Sequence, residues 1–279
     1  MNIIKKHISW SIFILITSFS VDAQDLAGTL SLAENSLKME RYAEAEMHFR
    51  RVIYFDSLAQ YQANTVEGLA KISYATGMYD EASRYYLTLS RLNNQPLDYY
   101  YHVLSLIKTQ NWLAAKQAAL NMPDTSLNVT VSKHLFIGLA EFGIRDFEEA
   151  SRNFDLAEAS LDIEVNQEDI FRQVQRIDKK NRTKAIIFSG LLPGLGQAYS
   201  GHYGEAANSF LLVSAVGIVY YYSLTQIGFI DALISISPWL NRYYVGGMNK
   251  AAELVDDYKN EKFLLLYNEL VQLYGGYIK

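Results

Sequence analysis

Apolar and aromatic residues recur through the first half of the chain at helical offsets of three and four, and four stretches repeat one arrangement. An aromatic stands three positions before an alanine at Tyr42 and Ala45, Tyr79 and Ala82, Trp112 and Ala115, and Phe147 and Ala150. Successive aromatics are 37, 33 and 35 residues apart. Four residues after each alanine comes Phe49, Tyr86, Ala119 or Phe154, and three further on Val52, Leu89, Met122 or Ala157, which keeps one helical face apolar. Upstream of each aromatic sit Leu32-Ala33, Leu69-Ala70, His102-Val103 and Ile137-Gly138. A large residue beside a small one lets a second helix approach closely, so each unit is predicted to be a helix-turn-helix pair. In the third unit His102 replaces the large aliphatic residue, Gln110 a turn glycine and Ala119 the second aromatic, so its geometry is the least regular expected.

After residue 158 the pattern breaks. A helical segment from about 168 to 184 gathers Arg172, Arg176, Lys179, Lys180, Arg182 and Lys184 against Asp178, next to the most apolar part of the chain. There Arg176, Lys179, Lys180, Arg182 and Lys184 are candidates to hold lipid headgroups, the alternative being a solvated helix face. From 185 to 241 the only formally charged residues are Glu205 and Asp231, and the uncharged run 206–230 is long enough to cross a bilayer. A second apolar segment, 231–244, is short and contains Pro238. The glycines and proline between 193 and 204 preclude one continuous helix there. Two or three membrane-embedded or buried helices are therefore expected. Near the end, Phe263, Leu266, Tyr267, Leu270, Val271 and Tyr274 form a stripe, expected to cover the apolar helices around 210–224 rather than a surface of the repeats.

Composition narrows the function classes. Half of the 279 residues are hydrophobic and 20% are charged, so most of the chain is folded. A net charge of -5 gives no general attraction for nucleic acid, which is not an expected partner. With no cysteine there is no disulfide, thiol nucleophile or thiolate metal site. The five histidines show no ligand spacing, no nucleophile elbow is present, and the glycine-rich run lacks the features of a phosphate loop. No catalytic residue, metal or cofactor is expected. At the start, Lys5 and Lys6, an uncharged stretch from Ile8 to Ser20, and Val21-Asp22-Ala23 read as an export signal cleaved after Ala23.

The unit Leu69-Ala70-Lys71-Ile72-Ser73-Tyr74-Ala75-Thr76-Gly77-Met78-Tyr79-Asp80-Glu81-Ala82 resembles the tetratricopeptide repeat, and residues 137–157 are similar to the same family over a full unit. The resemblance implies a helical solenoid whose groove is lined by the first helix of each pair. It would offer Tyr74, Tyr100, Leu104, Leu135, Leu139 and Phe142 to a hydrophobic or amphipathic protein segment, unless another part of the chain buries them. The run Leu192-Pro193-Gly194-Leu195-Gly196-Gln197-Ala198-Tyr199-Ser200-Gly201 resembles the P-G-x-G-Q-x-Y-x-G signature of a bacterial envelope domain of unknown function, common in Bacteroidetes. That resemblance implies membrane association through a domain marked by Pro193, Gly194, Gly196, Gln197, Tyr199 and Gly201.

The expected architecture is all-α: signal peptide 1–23, tetratricopeptide-like repeats 24–160, basic helical connector 161–184, and a small membrane-associated helical domain 185–279. The expected role is a non-enzymatic envelope scaffold or adaptor, with a protein partner of unknown identity and membrane lipid as its contacts. A small channel or transporter component regulated by the repeats is the alternative. The localisation implied is the bacterial cell envelope, exported and facing the periplasm, with inner or outer membrane left open. Export would put the basic connector on the side that the positive-inside rule disfavours.

Overall fold

The computed structural model describes residues 25–161 and 167–277, and the expected export signal lies outside them. Those residues form thirteen helices and no strand, so the chain is all-α. It divides into two compact units, Met1–Ile144 and Arg145–Lys279. The division falls inside the fourth sequence repeat.

In the first unit the helices are α1 Leu26–Lys38, α2 Tyr42–Phe55, α3 Gln62–Ala75, α4 Tyr79–Asn93, α5 Pro96–Lys108, α6 Trp112–Leu120 and α7 Leu127–Gly143. Each packs on its sequence neighbours; α1 also touches α3, and α5 touches α7, a repeat-like stacking of helix pairs. The small residues make this close approach possible: Ala33, Ala45, Ala70, Ala82 and Ala115 have no exposed surface. Phe49 lays its ring on Gly68, where any Cβ would collide with it. Around these positions run two apolar clusters, one holding Leu30, Phe49, Val52, Leu69 and Ile72, the next Val66, Tyr86 and Leu89.

Three turns within the pairs share one hydrogen-bond pattern. The amides of Glu40, Gly77 and Gln110 donate to the carbonyls of Leu37, Tyr74 and Ile107, and the following amides of Arg41, Met78 and Asn111 reach Ser36, Ser73 and Leu106. This is a Schellman closure, which needs a left-handed residue after the helix. Glu40, Gly77 and Gln110 have φ of 57°, 79° and 58°. Only one of them is glycine, so the geometry is retained in the third unit although its sequence is degraded. His102 fills that unit's aliphatic place as a polar tie: its Nδ1 lies 2.9 Å from the carbonyl oxygen of Ser83 on α4.

The second unit contains α8 Phe147–Leu161, α9 Glu168–Asp178, α10 Arg182–Leu191, α11 Leu195–Ser200, α12 Tyr203–Gln226 and α13 Phe229–Tyr274. At 46 residues, α13 is the spine, roughly 69 Å long at ~1.5 Å per residue. Its first part pairs with α12, its middle with α10 and α11, and its last part with α8 and α9. The basic segment is two helices, because Asn181 starts a new one by accepting the amide of Thr183 at 2.7 Å. The terminal stripe does not cover 210–224. Phe263 packs on Phe147 with centroids 5.0 Å apart, and Tyr274 stacks on Phe154 at 4.8 Å while donating its hydroxyl to Glu158. The cause is the continuity of α13 through Pro238, a rigid rod that carries the stripe away from the hairpin it forms with α12.

Candidate functional site: the apolar hairpin and its foot

Helices α12 and α13 form a hairpin that turns at Gly228, whose φ of 100° suits only glycine well. No side chain of α12 is buried, and among residues 229–250 of α13 only Ala232 is. Leu211, Ile218, Tyr221, Phe229, Ile230 and Ile234 are instead exposed. By length and composition α12 is the one described helix able to cross a membrane.

The glycine-rich motif clamps the foot of this hairpin. Gly194 and Gly201 hold φ of 92° and 93° on either side of α11, and the Ala206 backbone carbonyl packs against Gly194. Gly196 lies against the Ala185 carbonyl and the Ala251 side chain, with no room for a Cβ. Gln197 is 1% exposed. Its Oε1 accepts from Ser189 Oγ at 2.8 Å and its Nε2 donates to the Gly247 carbonyl at 2.9 Å, joining α10, α11 and α13. Ser189 Oγ in turn accepts the amide of Gly196 at 3.1 Å. Tyr199 packs edge-on against Phe188 and its hydroxyl accepts the Asn181 amide at 3.2 Å. Pro193, half-buried, leads into the Gly194 turn. Five of these six motif residues thus have an identifiable turn, packing or hydrogen-bonding duty.

The five basic candidates separate into two groups. Lys180 donates to the Tyr199 carbonyl at 3.0 Å and sits 3.9 Å from the centre of the Tyr258 ring, and burial lowers its pKa. Arg182 pairs with Asp256 at 3.0 Å. Arg176, Lys179 and Lys184 are exposed.

Of the groove candidates, Tyr100, Leu135, Leu139 and Phe142 are buried, while Tyr74 and Leu104 are half-buried. Tyr74 belongs to a ring cluster with Tyr79, Tyr86 and Tyr101. Tyr100 packs on Phe136 at 5.0 Å, and its burial pushes the phenol up to about 12. An open pocket in this unit is lined instead by Glu34, Leu37, Lys38, Glu67, Gly68 and Lys71.

A second pocket, of about 210 Å³, lies at the hairpin foot among α11, α12 and α13. Gln197, Glu205, Asn208, Ser209, Arg242 and Lys250 supply its polar groups. The helices come close here, since a Cβ on Gly247 would stand 2.8 Å from Ser209 Oγ. Lys250 bonds Glu253 at 2.9 Å, which together with its other carboxylate neighbours raises its pKa. Sequence reading missed Arg242 and Lys250. The usable signal was their spacing of eight, about two helical turns, with Arg242 inside the second apolar segment and Lys250 beyond it. Among the described residues no three metal-capable side chains cluster. Comparison with family models, curated proteins and solved structures finds no match to the chain.

Proposed function

We propose that this chain is a non-enzymatic adaptor of the bacterial cell envelope. A tetratricopeptide-like repeat unit captures a protein partner, and the α12/α13 hairpin holds the molecule in a membrane. The observation that carries this reading is the hairpin itself: α12 and the first part of α13 leave their apolar side chains exposed above a foot tied together by the glycine-rich motif. Helices of a water-soluble core bury one stripe and show polar residues on the other face, whereas a helix apolar all round belongs in a core or in lipid. From Glu205 to Gln226, 21 residues apart, the arm rises roughly 31 Å, close to the ~30 Å hydrocarbon thickness. Asp231 lies near the far tip, and Trp239, Tyr243 and Tyr244 approach the foot, as interfacial residues do.

The tetratricopeptide assignment is supported by the three equivalent left-handed turns and the buried alanines. Export and the envelope location rest on the leader and on the resemblance of the glycine-rich motif. Membrane capture is tested by carbonate extraction of the full chain. It should remain with the membranes, and its recovery in the soluble fraction would overturn the reading.

A further inference from the structure

We propose that the pocket at the hairpin foot binds a phosphate group, supplied by a phospholipid headgroup or by free phosphate. The inference deepens the membrane reading and rests on it for the lipid source. Arg242 and Lys250 bring two cations to the pocket, whose lining has the one carboxylate Glu205, and Lys250 is already paired with Glu253 at 2.9 Å. Arg242 is therefore the cation left to meet a phosphodiester, which carries one negative charge. Asn208 and Ser209 add neutral donors of the kind that satisfy phosphate oxygens. Guanidinium and ammonium groups are the usual partners of such oxygens.

The place of Arg242 along α13 gives a second argument within the membrane reading. Measured along α13 it lies five residues from Gly247 toward the tip, roughly 7 to 8 Å beyond the place where Ser209 touches the spine. It nevertheless lines the same pocket as Glu205 and Ser209. Arg242 is exposed and stands on the pocket's rim beside the apolar arm, a rim that the membrane reading puts near the level of lipid phosphates. Arg242 makes no ion pair with a carboxylate among the described residues, so its charge is available to a ligand. Leu212 borders the same pocket and would adjoin the upper acyl chain.

The test uses the full chain in a maltoside detergent, which contains no phosphate. Thermal unfolding is followed while a short-chain phosphatidylglycerol or inorganic phosphate is titrated in. The parent should show saturable stabilisation. The double variant Arg242→Gln with Lys250→Gln should need at least tenfold more ligand, while Lys262→Gln, a change outside the pocket, should behave as the parent. Stabilisation by the phospholipid alone supports the headgroup as the source, and stabilisation by both supports a site for free phosphate. Parent protein that gains no stability from either, or a double variant that responds unchanged, overturns the pocket. Carbonate extraction of the same proteins separates the two ideas. A double variant that remains in the membrane but loses the response supports the pocket, while a parent that is extracted removes the membrane reading and leaves the inorganic phosphate titration to decide the site.

Discussion

The pair α3/α4 and the pair α12/α13 are both antiparallel and both rich in apolar residues, yet they place those residues on opposite sides. In α3/α4, Leu69, Ala70, Ile72, Ala82, Tyr86 and Leu89 are buried and the outward positions include Lys71, Asp80 and Arg84. In α12 nothing is buried, and Leu211, Ile218, Tyr221 and Tyr222 are exposed. Apolar content therefore does not distinguish a helix that buries its apolar residues from one that exposes them. The presence or absence of a polar second face does. Water imposes that face on the repeats, and the proposed membrane placement would account for its absence from α12.

The sharpest way to break the comparison is a charge in the middle of the bare arm. Ile218 is 69% exposed. If its surroundings are lipid, Ile218→Arg should cost roughly 2.5 to 3.5 kcal/mol, the usual penalty for a charge at the centre of a membrane helix. If they are water, the change should stay within about 0.5 kcal/mol, as for an ordinary surface site. Partition between membrane and soluble fractions reads the difference, and an unshifted partition would put the hairpin in water.

The second contrast is steric. Ala82 has no exposed surface, so Ala82→Leu should overpack the helix contact and cost about 1 to 3 kcal/mol in chemical denaturation. A Cβ on Gly217, in the hairpin, meets no neighbouring atom within 4 Å. Gly217→Ala should accordingly leave the hairpin intact, with at most a small gain in helix propensity. Equal losses at the two positions would mean that the hairpin is as tightly enclosed as the repeats.

The foot of the hairpin gives a third measurement. Gln197→Leu would leave the Ser189 hydroxyl and the Gly247 carbonyl without their partner, at a cost of about 1 to 3 kcal/mol. Thermal unfolding in detergent should show it, and a neutral result would mean that the glycines alone hold the foot. Gln197 also marks the boundary of what the chain discloses by itself. The repeats were legible because each pair reuses the same local offsets, and the motif residues through their resemblance to an envelope-domain signature. The hydrogen bond from Gln197 to Gly247 joins residues 50 apart, and the Tyr274 bond to Glu158 joins residues 116 apart. No periodicity encodes such contacts. For the same reason the terminal stripe is legible as a stripe while its cover, Phe147 and Phe154, is not.

A pH experiment probes the repeat side of the comparison. Burial lowers the pKa of His102, with Arg91 adding to the effect, although the bond to the Ser83 carbonyl opposes it. The folded protein therefore holds the neutral imidazole more strongly than the unfolded chain, whose ordinary value is about 6.5. Stability from this group is complete above that value and declines as pH falls below it, because the unfolded state then takes up the proton first. Unfolding at pH 7.5 and pH 5.5 should show the parent losing more stability than His102→Asn. A parallel loss in both proteins would assign the dependence to other groups.

The smallest expected effect tests the turns. Gln110 occupies a left-handed position at φ 58°, the place filled by Gly77 one repeat earlier at φ 79°. A side chain there crowds its own backbone, while glycine does not. Glycine also makes the unfolded chain more flexible, which offsets part of the gain. The balance favours Gln110→Gly by roughly 0.5 to 1 kcal/mol, since the Schellman turn prefers glycine at this position. Gly77→Ala should lose about as much for the mirror reason, and no neighbouring atom adds a clash to confuse the reading. Denaturation midpoints that move in opposite directions would establish the two turns as equivalent devices. A Gln110→Gly protein weaker than its parent would show that the glutamine side chain holds the third pair together, and the regular turn there would then be a consequence of that contact rather than of the repeat.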